Sequence, residues 1–191
     1  MGEAELYGQR HNRKTSDITK LLHDTTISES QSSSTSSHPN FITLSQTDLS
    51  TLRTLPSSAN LVLFTPAIPS TCDTDPFEPL GKALSVYHRR VRHVPYLPNR
   101  GLTSTHETFC HHAASIIIVV CSAVNNSNVK GQRHFARAVI GLTLASAATV
   151  LLVEIGDGGG EFEGFSTVLR CGDYRNATLE RVADMIFGRY S

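Results

Sequence analysis

The run Ser115-Ile-Ile-Ile-Val-Val-Cys121 restricts the fold more than any other stretch of this sequence. It is apolar at every position instead of alternating, as a parallel strand covered on both faces requires. Such a strand belongs at the centre of a sheet. Thr149 to Ile155 reads as a second buried strand. Both runs fall far short of the ~20 apolar residues that cross a bilayer.

Around these runs the pattern switches repeatedly between short apolar strands and helical periodicity, the signature of βαβ units. Leu61 to Thr65 is expected as the first strand of the series, after a short one at Phe41 to Leu44. Asp75-Pro76-Phe77-Glu78 supplies an N-cap, a proline at N1 and a carboxylate at N3 for a helix reaching His88. Phe77, Leu80, Leu84 and Tyr87 form its core-facing stripe. Val91 to Tyr96 follows as a strand, placed at an edge because Pro95 cannot donate to a ladder.

Ser104 and Glu107 have capping-box spacing and open a helix to about Ala113. A longer helix spans roughly residues 130 to 145, with Phe135, Ala138, Val139 and Leu142 inward. Phe165 to Cys171 is a further strand, and Asn176 to Phe187 a last helix stopped by Gly188. The expected fold is an α/β three-layer sandwich with a mostly parallel, five- to six-stranded sheet flanked by helices.

The chain has 191 residues, with 17 Lys+Arg against 17 Asp+Glu. A balanced charge removes the electrostatic case for non-specific binding to nucleic acid or to a membrane surface. Residues 28 to 37 carry seven serines and no apolar side chain, so nothing there offsets the entropy of ordering them. Residues 1 to 40 are therefore expected to be a disordered segment with a serine-rich linker, and 41 to 189 a compact domain. The N-terminus has no basic region followed by an apolar stretch, and the expected location is intracellular, in the cytoplasm. Cys72, Cys110, Cys121 and Cys171 lack paired spacing and are expected as reduced, buried thiols. The sequons at Asn125 and Asn176 are then fortuitous.

In an open parallel sheet, ligands bind outside the carboxyl ends of the strands. Those ends are Thr65, Ser122, Glu154 and the turn from Cys171 to Asp173. Thr65, Ser122 and Glu154 are the substrate-binding candidates. Glu154 is either an acid or base with a raised pKa or, more simply, a carboxylate reaching solvent at the strand end. His106 and Cys110 share a helical face but lack a third ligand, so a polar face is expected there and no metal. The loop from Gly156 to Gly160 leads into another strand where a phosphate cradle needs a helix, and is read as a surface turn. His88-Arg-Arg-Val-Arg-His93 is read as a solvated cap at a helix C-terminus. No Gly-x-Ser-x-Gly elbow or nucleophilic cysteine signature occurs. Asp73 and Asp75, two residues apart, do not make the facing pair a glycosidase needs. No catalytic residue and no cofactor is assigned.

Particular stretches carry a family resemblance. Asn60 to Pro69, Asp75-Pro-Phe-Glu-Pro-Leu-Gly-Lys-Ala-Leu84, His93-Val-Pro-Tyr96 and Gly101 to Glu107 resemble fungal glycoside hydrolase family 3 proteins of the β-N-acetylglucosaminidase type. The resemblance continues through Ala113 to Val120, Tyr174 to Leu179 and Ala183 to Gly188. It is to the C-terminal α/β sandwich domain of that family, over about residues 41 to 189. In the family the catalytic residues lie on an N-terminal (β/α)8 barrel. A barrel needs ~250 residues, so the resemblance implies an accessory domain of a hydrolase acting on O-glycosyl bonds, inactive alone. The partner it implies is a separate barrel, and the alternative is a non-catalytic module binding a carbohydrate or another protein. Glu154-Ile-Gly-Asp-Gly-Gly-Gly160 departs from the Ser-Pro-Tyr-Asp type loop of relatives.

Overall fold

The two continuously apolar runs lie side by side at the middle of one sheet. The structure is a computed structural model that describes residues 39–68, 74–124, 128–157 and 162–189. Its strands are β1 (Asn40–Thr43), β2 (Leu61–Pro66), β3 (Val91–Tyr96), β4 (Ser115–Cys121), β5 (Thr149–Ile155) and β6 (Thr167–Cys171). Its helices are α1 (Gln46–Arg53), α2 (Glu78–Tyr87), α3 (Ser104–His112), α4 (Val129–Thr143) and α5 (Asn176–Phe187). The sheet order is β1-β6-β5-β4-β2-β3. Strands β2 to β6 pair in parallel, and β1 adds antiparallel to β6. The expected mostly parallel α/β sandwich is present, its sheet six-stranded within the expected five to six, with β3 and its Pro95 at an edge.

Alternation along the strands divides the core in two. Leu61, Leu63, Ile117, Val119, Leu151, Val153 and Leu169 face one way, under Leu49 and Leu52 of α1, Leu80 and Leu84 of α2, and Leu179, Val182 and Ile186 of α5. Val62, Phe64, Ile116, Ile118, Val120 and Leu152 face the other way, under Cys110 of α3 and Phe135, Ala136 and Val139 of α4. Both faces of β4 are fully covered, and each buried Ile or Val there contributes roughly 1.5–3 kcal/mol of transfer free energy.

Several boundaries differ from the sequence expectation. Helix α1 was not anticipated: Ser45 accepts a hydrogen bond from the Asp48 amide at 3.2 Å and caps it. Helix α2 begins at Glu78, because Asp75 closes a preceding turn by accepting from the Phe77 amide at 2.9 Å. On α3 the cap is Thr103 and its reciprocal partner is His106, whose Nδ1 accepts from the Thr103 amide at 3.2 Å; Ser104 and Glu107 do not form the box. Ala136 and Thr143 of α4 are buried, where Ala138 and Leu142 are only half-buried. The segment before Pro39, Cys72, Asp73, the Asn125 sequon and residues 158–161 lie outside the described residues.

Candidate functional site

The carboxyl ends of the parallel strands carry the polar groups, and each is held by a local partner. Thr65 is the penultimate residue of β2 and is buried; its Oγ1 lies 2.7 Å from Nε2 of His93 on β3. The same Nε2 is 3.5 Å from Oδ2 of Asp75. Burial pushes the His93 imidazole below its ordinary value, with Asp75 and Glu78 opposing. Thr65 and Asp75 thus share one ring nitrogen, whereas a nucleophile–base–carboxylate relay uses both.

Ser122 follows β4 and is half-buried; its amide and hydroxyl donate to the Ile155 carbonyl at 2.8 and 3.2 Å. Gly156, at φ +97°, is packed so closely here that a Cβ would lie 2.6 Å from the Ala123 nitrogen and 2.8 Å from Ser122 Oγ. Gln132 of α4 clamps the end of β4: its Oε1 accepts from the Cys121 amide at 2.7 Å and its Nε2 donates to the Cys121 carbonyl at 3.0 Å. Sequence reasoning missed Gln132, although a buried polar residue at the helical spacing of Phe135, Ala136 and Val139 was its signal.

Glu154 does not reach solvent. Its side chain is 1% exposed and accepts from Nε of Arg170 at 2.5 Å, with Nη2 of Arg133 at 3.8 Å. Arg133 in turn lies 5.3 Å over the Phe162 ring. Because Glu154 sits one residue from Val153 and Ile155, it emerges on the α4 side, while Thr65 emerges on the α2 side. The strand-end candidates are therefore split between the two faces of the sheet.

Past β6, Asp173 accepts from the Arg175 amide at 3.0 Å, from the Arg175 guanidinium at 2.6 Å and from Thr178 Oγ1 at 2.6 Å. The Arg175 hydrogen bond is the main reason its carboxyl is lowered to about 2. Each of these carboxylates is committed to an ordering contact.

No family model matches the chain, and no curated protein matches it. Solved structures do. A fungal multi-domain family 3 β-N-acetylglucosaminidase, described with a GCN5-related glucosamine N-acetyltransferase region, superposes with TM-score 0.61 at 17% identity, over 80% of this chain and 17% of that one. A family 3 β-N-acetylglucosaminidase from Paenibacillus sp. str. FPU-7 gives TM-score 0.58 at 11% identity, over 100% of this chain and 34% of that one. A β-glucoside phosphorylase gives TM-score 0.53 at 12% identity, over 81% and 28%. The likeness is one of fold. The chain spans between 17% and 34% of the length of these solved proteins.

The remaining candidates resolve on the same geometry. His106 and Cys110 do not form a polar face: both are buried, and the His106 ring meets Phe64 and Phe135 edge-on at 5.6 and 5.1 Å. Among the described residues no group of three or more His, Cys, Asp or Glu side chains could hold a metal. The basic run caps α2 only in part as a solvated segment: His88 is the C-cap, and Arg89, Arg90 and Arg92 are exposed. His88 is buried with Nε2 donating to the Ala59 carbonyl at 2.8 Å, and the residues after it enter β3. Cys110, Cys121 and Cys171 are free and buried, as expected. Among the described residues no helix is long and apolar enough to cross a membrane.

Proposed function

We propose that residues 41 to 189 are the accessory α/β domain of a family 3 glycoside hydrolase of the β-N-acetylglucosaminidase type. It works beside a (β/α)8 barrel that carries the cleavage of O-glycosyl bonds. The observation that carries this reading is the fold likeness, over 80% of the chain, to a solved family 3 β-N-acetylglucosaminidase. It is supported by the strand ends, where Asp75, Glu154 and Asp173 are each tied to a basic neighbour. On this reading the domain has no turnover alone. Thr65 and Glu154 keep the end of the sheet in shape, and half-buried Ser122 is the strand-end group left to touch a sugar.

The test assays the full chain for nitrophenol release from 4-nitrophenyl N-acetyl-β-glucosaminide, alone and mixed with a family 3 barrel whose own α/β domain has been deleted. The expected result is no release by the chain alone and co-elution with the barrel, with gain of activity. Release by the chain alone would overturn the accessory role, and failure to associate with the barrel would overturn the pairing.

A further inference from the structure

A second polar region lies at the opposite, amino-terminal ends of the strands, away from the site above. There a cleft of about 290 Å³ opens between the start of β2, the edge strand β3 and the end of α3. Its floor is apolar, from Val62 and the half-buried Phe109, and its walls are Asn60, Arg90, Arg92 and His112. Among the described residues no carboxylate lines it. In a chain with 17 basic and 17 acidic residues, two guanidiniums and an imidazole around one concavity are a local excess of cationic and donor groups.

The walls are partly fixed. Arg90 donates through Nη1 to the Ser58 carbonyl at 2.6 Å, and Asn60 donates through Nδ2 to the His112 carbonyl at 3.3 Å, tying the end of α3 to the start of β2. The Arg92 side chain is exposed and, among the described residues, makes no hydrogen bond or ion pair. Its backbone pairs with Val62 in the β2–β3 ladder, so the rigid edge of the sheet carries it. A planar guanidinium presents a fork of N–H donors that matches the oxygens of a phosphate or carboxylate. The volume is close to the lower end of the ~300–1,000 Å³ range of small-molecule pockets.

We propose that this cleft binds a compact oxyanion borne by a small molecule, with Arg92 and Arg90 as the anion ligands and Phe109 and Val62 as the apolar bed for the body that carries it. The proposal is independent of the accessory-domain reading, because it concerns the other end of the sheet and requires no barrel.

The full chain is titrated calorimetrically at low ionic strength with inorganic phosphate, glucose 6-phosphate, glucuronate and glucose. Saturable binding of at least one of the three anions, with none for glucose, is expected. Arg92→Gln should weaken it about tenfold, as loss of one charge-assisted pair does, and Arg90→Gln with Arg92→Gln should abolish it. Arg89→Gln, an exposed neighbour outside the cleft, should leave it unchanged. Raising salt to ~0.3 M should weaken it. Equal affinity for phosphate and glucose 6-phosphate supports recognition of the oxyanion itself, and tighter binding of the sugar phosphate or of glucuronate identifies which carrier the apolar bed accepts. Absence of saturable binding for all three anions, equal binding of glucose, or full affinity in the double variant would overturn the proposal. Circular dichroism of the variants separates lost binding from lost fold.

Discussion

Glu154 and Arg170 stand directly opposite each other on the parallel strands β5 and β6 and meet at 2.5 Å between Oε2 and Nε. The Glu154 side chain is 1% exposed and that of Arg170 30%, so the carboxylate bears most of the desolvation. Among the described residues its other oxygen makes no hydrogen bond, and the Arg133 guanidinium lies 3.8 Å from it. Glu154→Gln leaves two guanidiniums around a site without its anion. The expected loss of unfolding free energy is about 2–4 kcal/mol, somewhat below that for a fully buried pair because Arg170 keeps contact with water. Urea unfolding measures it. Glu154→Leu combined with Arg170→Leu should lose less than Glu154→Gln, and a double variant weaker than the single one would contradict the pairing.

His93 makes stability depend on pH. Burial lowers its pKa in the folded chain below the ordinary value of about 6.5. Above that value the imidazole is neutral in both states, and its contribution is fully present. As pH falls below about 6.5 the unfolded chain takes up the proton first, so stability is lost towards the depressed folded pKa. Melting temperature should therefore fall between about pH 7.5 and about pH 5, and fall less in His93→Gln. Equal losses in the two proteins would remove His93 as the cause.

What could be read from the sequence was what local pattern encodes. The unbroken run of β4 specified a covered central strand, Pro95 specified an edge, and Leu179, Val182, Ala183 and Ile186 with Gly188 specified α5 and its left-handed stop at φ +77°. Helix α1 was missed because it offers only Leu49 and Leu52 to the core, and their burial depends on packing against α5, far along the chain. The box on α3 was misassigned because His106 stands where Glu or Gln usually does. Glu154 could be singled out as a carboxylate ending a buried strand, but the strand end suggested solvent, and neither its burial nor its partner could be read. Arg170 is opposed to it by the register of two parallel strands, which no spacing in either strand states.

The buried cysteines give a chemical test of the core. Burial raises the thiols of Cys110 to about 11 and Cys171 to about 12, and raises that of Cys121. Only thiolate attacks alkylating reagents, and these three are neutral and covered near neutral pH. Iodoacetamide at pH 7.5 should leave all three unmodified in the folded chain and label them in urea, as read by peptide mass spectrometry. Rapid labelling of any of the three without denaturant would mean that the strand or helix holding it opens readily.

Two glycines of α4 should respond to alanine in opposite directions. At Gly131 a Cβ would lie 2.1 Å from the Pro98 carbonyl oxygen and 2.9 Å from its carbon, both backbone atoms that cannot rotate away. At Gly141 a Cβ meets nothing within 4 Å. Helix propensity favours alanine at each position by about 1 kcal/mol. At Gly141 nothing opposes it, so Gly141→Ala should stabilise the chain by about 0.5–1 kcal/mol. At Gly131 the overlap must push α4 from the Pro98 segment or disturb the Asn128 cap, whose Oδ1 accepts from the Gly131 amide at 3.1 Å. Overpacking of this kind costs about 1–3 kcal/mol, which exceeds the propensity gain, and Gly131→Ala should unfold at lower urea than the parent. Should both variants prove more stable than the parent, the close approach of α4 to Pro98 could not be the reason for glycine at position 131.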